Sequence, residues 1–213
     1  MPNHVVNRLT VIGPHEQVSK FVSLSTVPRP KTGDEEGSPN FCDDLTPRQV
    51  TFDFYGVVPL PARYSEVPYS RSGALMDSDN GYSMEVDTWG VKWGPYRIKD
   101  GWRLEIGKAT IEFTTAWEPP RVYYSKASAL FPDVTFIVSY GGEGPCFGRL
   151  VYFRGRCVLH EEGHHSECPE YADYGDERED EYFEADAAVV YRYARSHEAF
   201  VSQLSATETT HVD

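Results

Sequence analysis

The sequence predicts an α+β plait, an antiparallel sheet with helices packed on one face. Two observations predict it. Segments with an apolar period of two alternate with segments at helical period, in the order strand, helix, strand, hairpin, helix, strand. Between them, Pro, Gly and Asp gather where the chain has to turn. At 213 residues, 40% of them hydrophobic, the chain is long enough for one large domain or two small ones with a buried core.

The elements follow in order. His4 to Ile12 alternates, with Val5, Leu9 and Val11 on one side and Arg8 and Thr10 on the other, the pattern of a half-buried strand. Gly13-Pro14 stops it and opens a helix, in which Glu16 favours the N-terminal end of the dipole and Val18, Phe21 and Val22 share a face. Residues 28–48 are rich in Pro, Gly, Asp and Glu without periodicity, and read as a long surface loop inserted in the domain. A second strand is expected over Val50 to Val58, stopped by Pro59 and Pro61. Residues 62–100 give no clear element. Trp102, Leu104 and Ile106, a Gly107-Lys108 turn, and Ala109 to Trp117 make a β-hairpin. Pro119-Pro120 opens a helix to about Leu130, and Phe131-Pro132-Asp133 closes it. Val134 to Tyr140 is a β-branched and aromatic strand, and Cys146 to Leu159 supplies one or two more, with Gly155 at their turn. Finally Phe183, Ala187, Val190, Ala194, His197, Val201 and Leu204 repeat at alternating spacings of four and three, the stripe of an amphipathic helix over about 183–205. That stripe suits packing on the protein's own sheet, or a homodimer seam.

Charge divides the chain. There are 33 Asp and Glu against 20 Lys and Arg, a net −13, and residues 161–186 hold twelve of the acids with one base, Arg178. That segment nets −11, which leaves −2 for the other 187 residues. A strong anion of this kind repels nucleic acid, whose binding depends on phosphate neutralisation, and attracts basic proteins or cations in a salt-dependent way. No apolar run reaches the ~18–20 residues of a membrane-spanning helix, and the first residues lack the basic and apolar regions of an export signal. Four cysteines, Cys42, Cys146, Cys157 and Cys168, are too few for a disulfide scaffold and suit a reducing compartment. A cytoplasmic protein is expected, with no membrane and no nucleic-acid partner.

Three groups of residues bear on chemistry. Trp89-Gly90-Val91-Lys92-Trp93, with Trp117 in a later motif, could stack a ring ligand or nucleotide while Lys92 supplies charge. The same aromatics could equally be packing a connection onto the sheet. Cys157, His160, His164, His165 and Cys168 hold zinc-type ligands within twelve residues, but the gap between the two pairs is shorter than in finger motifs. Such a site would make the chain a zinc-containing protein or hydrolase. The third group is the acidic cluster Asp173, Asp176, Glu177, Glu179, Asp180, Glu181 and Glu184, a surface for a basic protein. No nucleophile elbow, phosphate-binding loop or H-E-x-x-H helix occurs, so neither an enzyme nor a bound cofactor is expected.

Asn7-Arg8-Leu9-Thr10-Val11-Ile12-Gly13, Asp53-Phe54-Tyr55-Gly56-Val57-Val58-Pro59-Leu60-Pro61, Trp89-Gly90-Val91-Lys92-Trp93, Phe113-Thr114-Thr115-Ala116-Trp117-Glu118-Pro119-Pro120 and Phe131-Pro132-Asp133 together resemble the YubB-like family, over roughly residues 3–155. The resemblance implies a ferredoxin-like domain, with two helices on one face of its antiparallel sheet, and a plasmid or phage setting. It implies no activity and no catalytic residue. Residues 28–48, and the acidic segment with its final helix, depart from the family pattern. The expected organisation is therefore a ferredoxin-like domain over 1–160, extended by extra strands, an acidic segment over 161–182 and a helix over 183–205. The expected function is that of a non-enzymatic accessory protein that binds a basic host protein by its acidic surface and inhibits a defence or DNA-handling system by mimicking nucleic-acid charge.

Overall fold

The computed structural model describes residues 4–27, 52–61, 81–142 and 146–164. In chain order the elements are β1 (His4–Ile12), α1 (His15–Ser25), α2 (Gly81–Trp89), β2 (Tyr96–Glu105), β3 (Lys108–Ala116), α3 (Arg121–Leu130), β4 (Thr135–Gly142), β5 (Cys146–Phe153) and β6 (Arg156–His164). The six strands form one antiparallel sheet in the order β2-β3-β1-β4-β5-β6. The α+β class expected from the sequence is the one observed.

Alternation along the strands builds two unlike faces. Val5, Leu9 and Val11 of β1, Ala109, Ile111 and Phe113 of β3, Phe136 and Val138 of β4, and Leu150 and Tyr152 of β5 join one core with Val18 and Phe21 of α1, Trp89 of α2 and Tyr123, Tyr124 and Ala127 of α3. Aromatic rings meet edge to face throughout it: Phe21 packs so on Trp102, Phe131 and Phe136, with centroids 5.1–5.9 Å apart. On the opposite face one row of paired residues crosses all six strands as Arg103, Thr110, Thr10, Ile137, Val151 and Leu159. The next row reads Lys99, Glu112, Arg8, Ser139, Arg149 and Glu161.

The turns follow the residues available. Arg154 and Gly155 both take positive φ, 49° and 79°, and form the two-residue link between Phe153 and Arg156 that suits strand twist. Ser125 Oγ donates to Gly155 O at 2.7 Å and Gly155 N–H donates to Ser128 Oγ at 3.0 Å, so this hairpin tip is fastened to α3.

The structure corrects the sequence reading in several places. The expected strand over Val50 to Val58 is not one: residues 52–61 run as an irregular, turn-rich segment. Its apolar residues are buried, as a strand's would be, but Asp53 Oδ1 accepts the Tyr55 N–H at 2.8 Å and Phe54 O accepts the Val57 and Val58 N–H groups, which commits the backbone to local turns. A Cβ on Gly56 would sit 2.0 Å from Leu24 O, so the chain crosses the end of α1 at a distance that only glycine allows. Residues 81–100, within the stretch that gave no clear element, contain α2 and the start of β2. Three described helices, one more than expected, share the aromatic core. β6 continues to His164, so Glu161 and Glu162, the first residues of the acidic segment, are strand residues. Residues 28–48 and the 183–205 helix lie outside the described residues, as does the acidic segment beyond His164.

Candidate functional site

One end of the sheet collects most of the residues with chemistry to offer. The register pairs His4 with Ala116, Val5 with Gly142, Gly141 with Phe147 and Cys146 with His164. β1 and β5 therefore begin, and β3, β4 and β6 end, along one rim. Two clusters sit near it.

The first is built on Lys92. Its ammonium lies over the rings of both Trp93, 5.0 Å from the centroid, and Trp117, 5.5 Å away. Trp93 in turn meets Tyr96, whose hydroxyl shares a hydrogen bond with His4 Nδ1. Trp117 is 42% exposed and takes φ of 73°, a left-handed conformation that is costly for an aromatic residue. The corner is held from below: Thr115 Oγ1 donates to Glu118 O at 2.8 Å, and the buried Asn7 Nδ2 donates to Thr115 Oγ1 at 2.8 Å. Asn7 Nδ2 also donates to Val5 O, and Asn7 Oδ1 accepts from Tyr124 OH at 3.4 Å. The structure thus brings Lys92, Trp93 and Trp117 together, but it does not bring Trp89 to them. Trp89 is fully buried in the aromatic core, where its Nε1 donates to Val58 O at 2.8 Å. Its expected place in a stacking platform is corrected accordingly: a ring buried on every side has no face to offer a ligand.

The second cluster joins the start of α3 to the edge strand. Arg121 Nη2 donates to Tyr140 OH at 3.1 Å and to Glu162 Oε1 at 3.2 Å, while Nη1 lies 3.0 Å from His160 Nε2. Tyr140 OH donates to the same Glu162 oxygen at 2.9 Å, and His160 Nε2 stands 3.5 Å from Glu162 Oε2. A Cβ on Gly148 would come 2.7 Å from Tyr140 OH, so a glycine on β5 opens the space in which this hydroxyl reaches β6. Nearby, burial pushes the Tyr152 phenol up to about 12, helped by Cys157, while Arg121 pulls the other way. Burial likewise holds Tyr123 and Tyr124 well above the ordinary tyrosine range. These phenols stay protonated at neutral pH; Tyr124 OH donates to Asn7 Oδ1, whereas Tyr123 OH is buried with no hydrogen-bond partner among the described residues.

Sequence reasoning flagged His160 only as a metal ligand and missed Arg121, Tyr140 and Glu162. No motif joins residues 121, 140 and 162. They meet because β4, β5 and β6 are neighbours and because Gly148 lies across from Tyr140, a register that one sequence does not display. Of the five candidate zinc ligands, Cys157 and His160 lie on β6, which His164 ends, and His165 and Cys168 fall outside the described residues. A register shift near Tyr152 turns Cys157 to the side that His160 occupies, where strict alternation would separate them. Among the described residues no three His, Cys, Asp or Glu side chains gather around a metal-sized space. The acidic candidates Asp173, Asp176, Glu177, Glu179, Asp180, Glu181 and Glu184 lie outside the described residues. Among those described, no helix is long and apolar enough to cross a membrane.

The motifs that carry the family resemblance have structural work here. Trp89 ties its helix to the Asp53–Pro61 motif through Val58, a Cβ on Gly90, which takes φ of 84°, would lie 3.1 Å from Val122 Cγ2, and Asn7 ties β1 to Thr115. No family model matches the chain, and no curated protein matches it. Its fold is similar to the crystal structure of the protein api92 from Yersinia pseudotuberculosis, of family DUF1281, with a TM-score of 0.50 and 13% identity over 84% of this chain and 100% of that one. At that identity the likeness concerns the fold alone.

Proposed function

We propose that this chain is a non-enzymatic binding protein, carried by a plasmid or phage and acting in the cytoplasm, that engages a basic host protein through its acidic segment. The observation that carries this reading is the segregation of charge. The described residues hold twelve Lys and Arg and eleven Asp and Glu, so the folded sheet is close to neutral and the rest of the chain carries a net −14. Charge concentrated in this way raises encounter rates with a basic surface and gives a contact that salt weakens. Occupation of a groove evolved for nucleic acid, and so inhibition of a defence or DNA-handling protein, is the role such an anion suits. The scaffold in this reading is a ferredoxin-like plait, supported by the spatial order β2-β3-β1-β4 and by α1 and α3 on the shared face, with β5 and β6 as an added hairpin.

The test is affinity capture from a bacterial host lysate with the wild type and a variant in which Asp176, Glu177, Glu179, Asp180, Glu181 and Glu184 become Asn or Gln. The expected result is a basic protein retained by the wild type at moderate salt and lost with the variant. Equal retention by both would overturn the reading.

A second reading, a small-ligand or nucleotide module, rests on the partly exposed Trp117 beside Lys92 and Trp93. Against it, Lys92 already lies over both rings. A nucleotide panel that quenched tryptophan emission at micromolar concentration would favour it.

A further inference from the structure

Where β2 begins and β3 ends, aromatic faces converge on a single cation. Tyr96 pairs with Thr114 across the two strands, which sets the connection before β2, with Lys92 and Trp93, beside the corner after β3, with Trp117. The Lys92 ammonium is the point both indoles share, 5.0 Å from the Trp93 centroid and 5.5 Å from that of Trp117. Tyr96 backs Trp93 at 6.3 Å, and its hydroxyl is fixed by a hydrogen bond with His4 and by donation to Thr115 O at 3.2 Å. The Trp117 corner is fixed by the hydrogen bonds that run from Asn7 through Thr115 to Glu118. The walls of this box are therefore tied to the sheet, whereas the cation between them stands on a four-carbon stem from a loop.

We propose that this box binds the methylated ammonium head group of a ligand, with Lys92 as the chain's own competing occupant. Three observations carry the inference. Trp89 and Trp102 spend their rings on the aromatic core, but Trp117 stays exposed while holding φ at 73°. An exposed indole adds little to a core, and strain of this kind concentrates at ligand sites. The distances come second. An N-methyl carbon lies about 1.5 Å from its nitrogen and touches a ring carbon at about 3.5–4.0 Å, which seats a methylated nitrogen about 5.0–5.5 Å from each face. Both separations fall in that range, which is longer than a bare ammonium needs. Charge is the third. Ring faces attract cations, and a methylated ammonium sheds less water than the strongly hydrated lysine head it displaces. The net charge of −13 draws in the same sign of ligand. The site takes a cation where the second reading takes a nucleotide, and it is independent of the acidic segment.

Titration of the full chain with choline, followed by saturation transfer to its N-methyl protons, tests the site. Lys92→Met keeps the apolar stem and removes the competing charge, and is expected to tighten choline binding several-fold over the wild type. Trp117→Leu is expected to abolish binding and Trp117→Phe, which keeps a ring, to retain part of it, with circular dichroism checking that each variant is folded. The uncharged isostere 3,3-dimethylbutanol is expected to bind the wild type several-fold more weakly than choline; equal binding would mean an apolar cleft and overturn the proposal. A peptide carrying trimethyllysine separates the sources of the head group: tighter binding than choline assigns it to a protein side chain, and equal binding to a small molecule. No transfer with either the wild type or Lys92→Met, or an affinity that Lys92→Met leaves unchanged, would also overturn the proposal and reduce the rings to a clasp for Lys92. Nucleotide binding that Lys92→Met abolishes would overturn it in favour of the second reading.

Discussion

The two faces of the sheet solve the same packing problem with different residues. On the helix face, burial is aromatic: Phe52, Phe54, Phe113 and Tyr123 form a run of ring contacts, down to 4.2 Å between the Phe54 and Tyr123 centroids. On the other face, Thr10 and Thr110 share a hydrogen bond of 2.9 Å at the centre, and the next row pairs Lys99 with Glu112 at 3.5 Å and Arg149 with Glu161 at 3.8 Å. The first face is shaped by large rigid groups whose loss leaves a hole. The second sets small hydroxyls and partly solvated ion pairs around a minor apolar patch of Ile137 and Val151. The difference teaches where stability and adaptability are located in one sheet.

The sharpest way to break the comparison is at Trp89. Trp89→Ala removes a fully buried indole and leaves the Val58 carbonyl without its donor, so denaturant unfolding should show a loss of about 3–5 kcal/mol. Alkaline titration comes next, because the helix face also holds the buried phenols. Tyr152 has its pKa raised from the ordinary 10 to about 12, so its stabilising contribution is complete below pH 10 and is lost as pH rises towards 12. Stability should fall through that window, and Tyr152→Phe should reduce the fall; an unchanged slope by circular dichroism would remove Tyr152 from the account. Cys157→Ser should lower the Tyr152 titration midpoint, since Cys157 raises it.

Asn7→Ala should cost about 1–3 kcal/mol by stripping the Val5 carbonyl and the Thr115 hydroxyl of a donor in a buried site. It should also release the Trp117 corner, which a change in tryptophan emission would report. The smallest effect belongs to the other face. Glu112→Gln removes one partner of Lys99, whose side chain is 62% exposed, and should change stability by less than about 1 kcal/mol. A loss as large as that of Trp89→Ala would mean that the two faces are not different in kind.

These contrasts bear on what could be read from the chain alone. β1, the β2–β3 turn, α3 and β4 were legible because each combines a clear period with Gly or Pro punctuation at its ends, as at Gly13-Pro14 and Pro119-Pro120. The 50–58 segment misled for a physical reason: Phe52, Phe54 and Val58 are buried as a strand would bury them, but Asp53 captures the backbone two residues on. α2 was invisible because Gly81–Trp89 has little amphipathic pattern, and its length is fixed by what it packs on, α3 and the core. The Lys92 cluster was half legible. The spacing of Trp89 and Trp93 suggested a shared platform, whereas the helix ends between them at Gly90 and sends the two indoles to different surroundings. The Arg121 cluster depends wholly on strand order, which single-sequence periodicity does not encode.

The register of the central strands also governs how the protein comes to be folded. Thr10 pairs with Thr110, a hundred positions later, whereas β4, β5 and β6 follow one another as a local meander. Local pairs close quickly and distant ones pay a larger entropy of loop closure. Of the described strands β1 is made first during synthesis, yet both of its sheet neighbours, β3 and β4, come from the second half of the chain. This central strand therefore waits longest with two open edges, and the time to its pairing, rather than the stability of the product, sets the interval in which a nascent chain is exposed to self-association.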